Sequence, residues 1–326
     1  MEIRQKAGLY ELYTPRRDIV EGPELRFIRR VCEGDREGAL GCFLEKRLFT
    51  DAPVAVDAPW ERYEGQSGLL RFIDGFADRF GAQSASVTPY FVTRANGHSV
   101  TEAVIGFVRD GMIDQVPMFL VGDLGTQDTL EELRIYCHAK FVPGLTPYRR
   151  PMFTPAHLEA GDGNLLTGAV KEYYEALHHM PNADVERIMR CTRDDCVFGG
   201  YEPHPANLHQ SRETLRADYE RMASYIPAKV AMRYETIIDD GVTCVIEWVH
   251  IISDAGRRDK NRPALSGIAA YERGSDGRLC SIRISDYAGY ENEIDWTKTG
   301  ISREEAYRIN AVHEFPAGVG LRGQVD

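Results

Sequence analysis

One order of elements runs through this chain twice. In the first pass, Leu25, Ile28, Val31 and Cys32 fall on one helical face and predict a helix from Glu24 that stops near Gly34-Asp35. Ala39, Leu40, Phe43 and Leu44 predict a second helix, Val54-Ala55-Val56-Asp57 a short strand, and Leu69, Phe72, Ile73 and Phe76 a third helix from near Gly65. Strands follow at 86–94, 100–108, 116–124 and 130–137, the first two joined by the hairpin signal Asn96-Gly97. Pro89 predicts that the first of these lies at an edge or carries a bulge. The second pass repeats this order: helices at 165–180 and 184–191, a short strand at 196–198, and a helix that opens on the N-cap residue Ser211. Its strands are 229–238, 242–252, 264–272 and 279–287, with turns at Asp240-Gly241 and Asp276-Gly277.

The two passes lie ~146 residues apart, a domain length and not a solenoid period. Three helices and a run of antiparallel strands, used twice, make tandem α+β domains. The boundaries follow from composition. Residues 1–21 form an arm with Tyr10 and Tyr13 as anchors, 22–142 the first domain, 143–163 a Pro- and Gly-rich linker, 164–296 the second domain and 297–326 a tail.

Charge and cysteine usage narrow the function. At 326 residues and a net charge of −11, with arginine pairs isolated from one another, the chain has no basic stripe for nucleic acid. The charged start Met1 to Lys6 leads into no apolar segment, and no run approaches membrane-spanning length. The seven cysteines are odd in number, several sit in strand-like runs, and none makes a Cys-x-x-Cys pair, the pattern of reduced cytoplasmic thiols. The expectation is a cytoplasmic protein without nucleic-acid or membrane partners.

The stretch Cys244 to Ile252 reads as a long central strand of β-branched and aromatic residues. Alternation puts Cys244, Ile246, Trp248 and His250 on one face. A histidine among apolar neighbours is either a satisfied core residue or the polar group of a pocket.

Three stretches resemble the nuclear transport factor 2-like superfamily, in its SnoaL-like and ketosteroid-isomerase-like groups. They are Tyr63-Glu64-Gly65-Gln66-Ser67-Gly68-Leu69, Val245-Ile246-Glu247-Trp248, and the ending from Asp276-Gly277-Arg278-Leu279 to Asp286-Tyr287. The resemblance covers 22–142 and 164–296. It implies cone-shaped, cystatin-like α+β barrels in which a curved antiparallel sheet wraps around three helices. Such domains commonly pair through their sheets, so two copies in one chain look like a covalent pseudo-dimer, with homo-oligomerisation as a further option. The resemblance also implies a cofactor-independent site of a few polar groups in an apolar cone, where desolvation moves pKa values.

In the second domain Tyr173 falls where ketosteroid isomerases carry their oxyanion-holding tyrosine, or else is a satisfied core tyrosine. His250 resembles the catalytic histidine that dehydratases of the superfamily place on these strands, with Asp286 as its orienter or as an ion-pair partner of Arg283. His178 or His179 reaches the cone or favours a helix C-terminus, and Tyr201 is a further donor candidate. Trp248, Ile246, Phe198 and Ile284 are the candidate substrate-binding residues. Gly199-Gly200 stands where the isomerases have their aspartate base.

In the first domain Asp57 falls at that aspartate position and Glu102 on the inward parity of its strand, but Phe27, Gly106 and Cys137 stand where the tyrosine, histidine and final aspartate would be. That half is expected to be structural. The histidines lack metal-ligand spacing, so no metal is expected, and no Walker loop, Gly-x-Gly-x-x-Gly or nucleophile elbow occurs. The expected activity is an acid–base lyase, a dehydratase or related elimination that includes carbon–carbon cleavage, acting on a small hydrophobic cyclic or aromatic alcohol or ketone. The alternatives are an isomerase or cyclase of a ketosteroid- or polyketide-like substrate, and a non-catalytic binding or scaffold protein.

Overall fold

The structure, a computed structural model, describes residues 1–43, 54–138, 141–143, 165–177, 184–200, 208–225, 230–252 and 265–286. The chain divides into two compact units, the first of Met1–Leu145 and the second beginning at Thr146. Among the described residues no helix is long and apolar enough to cross a membrane.

Unit 1 opens its helical layer with α1 (Pro23–Glu33). Pro23 sits in the first turn, where its missing N–H is not needed, and Gly34 ends the helix at a φ of 73°. The Asp35 N–H then reaches back to the Arg30 carbonyl at 2.9 Å. Asp35 also caps α2 (Arg36–Leu40), its carboxylate accepting from the Gly38 N–H at 2.9 Å. Helix α2 is shorter than its apolar pattern predicts, because Phe43 leaves the helix to bridge Leu130, while Leu44 lies outside the described residues. Helix α3 (Gly65–Arg79) starts at Gly65, whose φ is 63°. Gly68 lies so close to the preceding chain that an added Cβ would sit 2.8 Å from the Tyr63 carbonyl carbon.

The sheet of unit 1 runs β3 (Arg62–Glu64), β2 (Ala55–Asp57), β7 (Leu130–Tyr136), β6 (Met112–Leu124), β5 (His98–Arg109) and β4 (Ser84–Ala95). The β4–β5 and β5–β6 turns are two-residue hairpins, Asn96-Gly97 and Asp110-Gly111, with positive φ at both positions of each. Strand β4 lies at the edge of this order, and its register shifts between Pro89 and Phe91, so Pro89 marks both an edge and a bulge. The sheet is not wholly antiparallel, since β2 joins β7 in parallel. The arm contributes β1 (Glu2–Gln5), which pairs in parallel with β6 at Met112–Asp114, and Arg4 and Arg109 both donate to Asp114. Tyr10 is buried and donates to Glu102 Oε2 at 2.8 Å, while the Tyr13 ring meets Phe91 edge-on.

Unit 2 has helices α4 (Gly168–Leu177), α5 (Val185–Cys191) and α6 (Arg212–Tyr225). Asp184 caps α5 as Asp35 caps α2, and the Ser211 hydroxyl accepts from the Thr214 N–H ahead of α6. The strands are β8 (Thr192–Gly200), β9 (Leu208–His209), β10 (Val230–Asp239), β11 (Thr243–Ile252), β12 (Leu265–Arg273) and β13 (Leu279–Asp286). Read from β9, their order is β9-β8-β13-β12-β11-β10, the same path as in unit 1 with β8 again parallel to its neighbour. The bulge recurs as well, in β10 between Tyr234 and Thr236.

Each sheet has one face on an apolar cluster. In unit 1 that face carries Ala103, Ile105, Phe107, Met118, Leu133 and Ile135, packed on rings from the helices. Phe27 stacks on Phe72 with centroids 5.8 Å apart, and Phe80 stacks on Phe107 at 3.9 Å. The opposite faces are buried too and carry charge: Arg134 and Glu102 in unit 1, Arg283 and Glu247 in unit 2.

Candidate active site

The inner face of the unit 2 sheet is built in cross-strand rows. Cys244, Tyr271 and Ile282 form one, and Ile246, Ala269 and Ile284 the next. The buried members of these rows belong to the cluster that includes Val170, Tyr173 and Tyr174 of α4 and Leu215 and Tyr219 of α6, with Phe198 and Ile284 packed against it half-buried. The third row is Trp248, Gly267 and Asp286, and His250 lies one row further along, opposite Leu265. By strand parity these backbone positions share the inner face. For Trp248, His250 and Asp286 the backbone alone is described, and Tyr201, His178 and His179 lie outside the described residues. With strands about 4.8 Å apart and alternate residues about 6.8 Å apart, the Cα atoms of His250 and Asp286 are separated by roughly 12 Å.

Four tyrosines occupy the floor of this cluster, each between 1% and 3% exposed. The Tyr173 and Tyr219 hydroxyls are hydrogen-bonded to one another, and those of Tyr174 and Tyr271 likewise at 2.6 Å. The rings of Tyr173, Tyr174 and Tyr271 meet pairwise at 5.3–5.5 Å. Burial pushes the Tyr219 hydroxyl well above its ordinary pKa, and the neighbouring Tyr173 adds to the effect. Tyr219 therefore keeps its proton.

The same positions in unit 1 carry no hydroxyl. Phe27 and Phe72 stand where unit 2 has Tyr173 and Tyr219, at the matching places on α1 and α3. Ile28 stands for Tyr174, and Gly122, paired with Ser99 and Leu133, for Tyr271.

Three expectations for unit 1 are corrected by the register. Glu102 pairs with Phe119 and lies on the face opposite the apolar cluster, because Ala103 and Ile105 are the inward residues of β5. Asp57 lies on that same opposite face, opposite Arg134, since Val56 is the inward residue of β2; its carboxylate accepts from Arg62 at 3.4 Å. The position equivalent to His250 is Ile105, opposite Val116, and not Gly106. Cys137 is buried within the cluster.

Unit 1 does bury one carboxyl among its inner-face residues. Glu24, on the first turn of α1, is fully buried and accepts from Ser99 at 2.8 Å and Thr101 at 2.6 Å. Among the described residues its Oε2 has no hydrogen-bond partner, and burial holds its pKa above the usual carboxylate value against those two hydroxyls. Among the described residues no group of three His, Cys, Asp or Glu side chains is placed to hold a metal ion.

Residues 170–282, from α4 to the middle of β13, match the family model described as a SnoaL-like domain. Unit 2 carries a SnoaL-like domain. No curated protein matches the chain. Similar solved structures include a ketosteroid isomerase-like protein from Catenulispora acidiphila in complex with trimethylamine, 15% identical, covering 42% of this chain and 100% of that one at a TM-score of 0.32. An NTF2-like protein of unknown function from Cytophaga hutchinsonii is 14% identical and covers 36% of this chain and 86% of its own at 0.26. An epoxide hydrolase/cyclase-like enzyme of pyran ring formation in salinomycin is 16% identical, covering 39% and 91% at 0.28. The fold assignment itself rests on the strand order and the family model.

Of the SnoaL-like domain's tyrosine quartet, sequence reasoning singled out Tyr173 alone as a site residue. Tyr219, Tyr174 and Tyr271 carry no local signal that marks them as site residues. Comparison of the two halves position by position would have found them, because hydroxyls appear on one side only. Glu24 likewise looks in sequence like an ordinary acidic first-turn residue.

Proposed function

We propose that the SnoaL-like domain is the active unit and an acid–base lyase, a dehydratase or related elimination acting on a hydrophobic cyclic or aromatic hydroxy-ketone. The observation that carries the reading is the Tyr173–Tyr219 hydroxyl pair, set where unit 1 fills the same space with Phe27 and Phe72. Unit 1 folds around rings at these positions, so packing alone does not call for the oxygens. The two hydroxyls share one O–H···O bond in which either can be the donor, and we assign Tyr173 as the group that turns to a developing enolate oxygen when substrate binds.

His250 serves as the base that removes a proton beside the ketone, with Asp286 as its orienter, their backbone positions on the inner face separated by two strands and one row. Trp248, Ile246, Phe198 and Ile284 line the apolar remainder, with Tyr201 and His178 as further donors. Isomerisation or cyclisation of a polyketide-like ketone would use the same groups. Free thiol character at all seven cysteines supports a cytoplasmic setting. The competing reading, a non-catalytic binding protein, draws on the near-complete burial of the quartet.

The test is turnover of a panel of β-hydroxy-ketones, followed by the absorbance of the conjugated ketone formed. Activity should fall about 100-fold or more in Tyr173→Phe, the usual effect of losing an oxyanion donor, and vanish in His250→Ala. Absence of turnover together with ligand binding indifferent to Tyr173→Phe would leave the binding protein.

A further inference from the structure

Strand β4 lies at the edge of the unit 1 sheet and has one neighbour, β5, among the described residues. Ahead of its bulge, Ser84 to Thr88 pair with Val108 to Val104 without a break, and Ser84, Ser86 and Thr88 are exposed. We propose that this run is a pairing edge for a second copy of the chain, two β4 strands meeting antiparallel about a two-fold axis at Ser86. Ser84 of each copy then faces Thr88 of the other, and Ala85 faces Val87. The inference concerns unit 1 and stands apart from the lyase reading.

The backbone is the first support. A strand with one neighbour turns alternate N–H and C=O groups away from it, a row that a further strand can satisfy. Folds commonly guard such a row with charge, proline or a bulge. Here proline and bulge lie together at Pro89, and the stretch from Ser84 to Thr88 carries no charge. Pairing centred on Ser86 uses that stretch in full and stops at Pro89, which has no N–H to give.

The comparison between units is the second support. The β4 and β10 bulges are equivalent, which matches Thr88 to Arg233 and Ala85 to Val230, the first residue of β10. Ser84 therefore matches Lys229 in sequence. The same two-fold pairing of β10 would set a lysine against an arginine at both ends, and like charges directly opposite one another destabilise a strand pair. In unit 1 those positions carry two hydroxyl residues, which pair favourably across strands. One edge is closed by charge and the other is left open.

The side chains are the third. Ala85 and Val87 lie on the inner face, where both pack half-buried against the apolar cluster. Joining two sheets at β4 lays Ala85 of one copy beside Val87 of the other and removes more of this surface from water. The ladder is short, with a contact area well under the ~1,200 Å² of stable complexes, so the dimer is reversible. It is also closed, because the two-fold uses the edge of both copies.

Sedimentation velocity of the full chain from about 1 to about 300 µM, the range of a weak pairing, is the test. Monomer should give way to dimer with no larger species. Added salt should strengthen the association, because the net charge of −11 repels and the edge holds no ion pair. Ser84→Lys/Thr88→Arg, which installs the unit 2 residues, should weaken the dimer about tenfold or more. Ser84→Glu/Thr88→Lys sets a glutamate of each copy against a lysine of the other and should restore it in a form that salt weakens. Ser86→Cys places a thiol at the axis, and mild oxidation should lock that variant as a covalent dimer faster than the wild-type chain. A dimer indifferent to Ser84→Lys/Thr88→Arg, equal losses in the two charged variants, or no gain in crosslinking with Ser86→Cys overturns the pairing. A monomer at every concentration also overturns it and leaves the edge to an extended segment of another protein.

Discussion

Arg134 and Arg283 hold equivalent positions in the two units, on β7 and β13, each on the sheet face away from the apolar cluster and each fully buried. Arg134 donates to both oxygens of Asp123 at 2.6 and 2.8 Å, and Arg283 donates to Glu272 at 2.7 Å. Removing the arginine takes a charge-assisted partner from Asp123, which keeps His98 at 2.8 Å, and from Glu272, at a cost of about 1–3 kcal/mol. Arg134→Ala and Arg283→Ala should each lower the denaturation midpoint accordingly. A loss below about 1 kcal/mol in either would mean that the pair is solvated.

The tyrosine pair makes a stability prediction that is independent of activity. Tyr173→Phe alone strands the buried Tyr219 hydroxyl and should destabilise by about 1–3 kcal/mol, whereas Tyr173→Phe/Tyr219→Phe removes both oxygens and approaches the ring pair of unit 1. The double variant should therefore be more stable than the single one in urea denaturation. Additive losses would show that the hydroxyls are not coupled.

Glu24 sets a pH dependence of unusual sign. Its folded pKa is raised by burial, so the native state binds the proton more tightly than the unfolded chain, whose carboxyl titrates near ~4.3. Its contribution is fully present below that value and is lost as pH rises through the folded pKa. Glu24→Gln, which can still accept from Ser99 and Thr101, should flatten this slope and raise the melting temperature at neutral and alkaline pH. Parallel melting-temperature profiles for the two proteins would refute it.

Gly68 offers a test of close packing. In an exposed helix Gly→Ala stabilises by roughly 1 kcal/mol, but here the added carbon would meet the Tyr63 backbone at 2.8 Å. Gly68→Ala should destabilise, because α3 must move off β3 to admit it. A thermal melt showing stabilisation would mean that the α3 start is loose.

The fold was legible where local chemistry and tertiary need coincide. Pro89, Asn96-Gly97, Asp240-Gly241 and the Ser211 cap each force one local outcome, and the repeat supplied the rest of the order. Inward parity in unit 1 was not legible from a constant offset between halves. The β4–β5 turn pairs Ala95 with His98 and the β10–β11 turn pairs Asp239 with Cys244, so aligning the two turns on Gly97 and Gly241 slips β5 by one residue against β11. A one-residue slip reverses every side chain of a strand, which is how Glu102 was read as inward and Gly106 was set against His250. Strand β3 escaped because three residues give too short a pattern to read. The tyrosine quartet escaped because its members come from three elements, and a hydrogen bond between distant elements leaves no trace in local periodicity.

The parallel pairing of β1 with the start of β6 also bears on how this protein tolerates handling. Strand β7 reaches β6 only from Phe119 onward, so at Met112–Asp114 the neighbour on that side is the arm. A clipped or displaced arm would leave a short run of backbone amides and carbonyls open to strand addition by a second molecule. Proteolysis within the first few residues would then register less as lost function than as slow self-association.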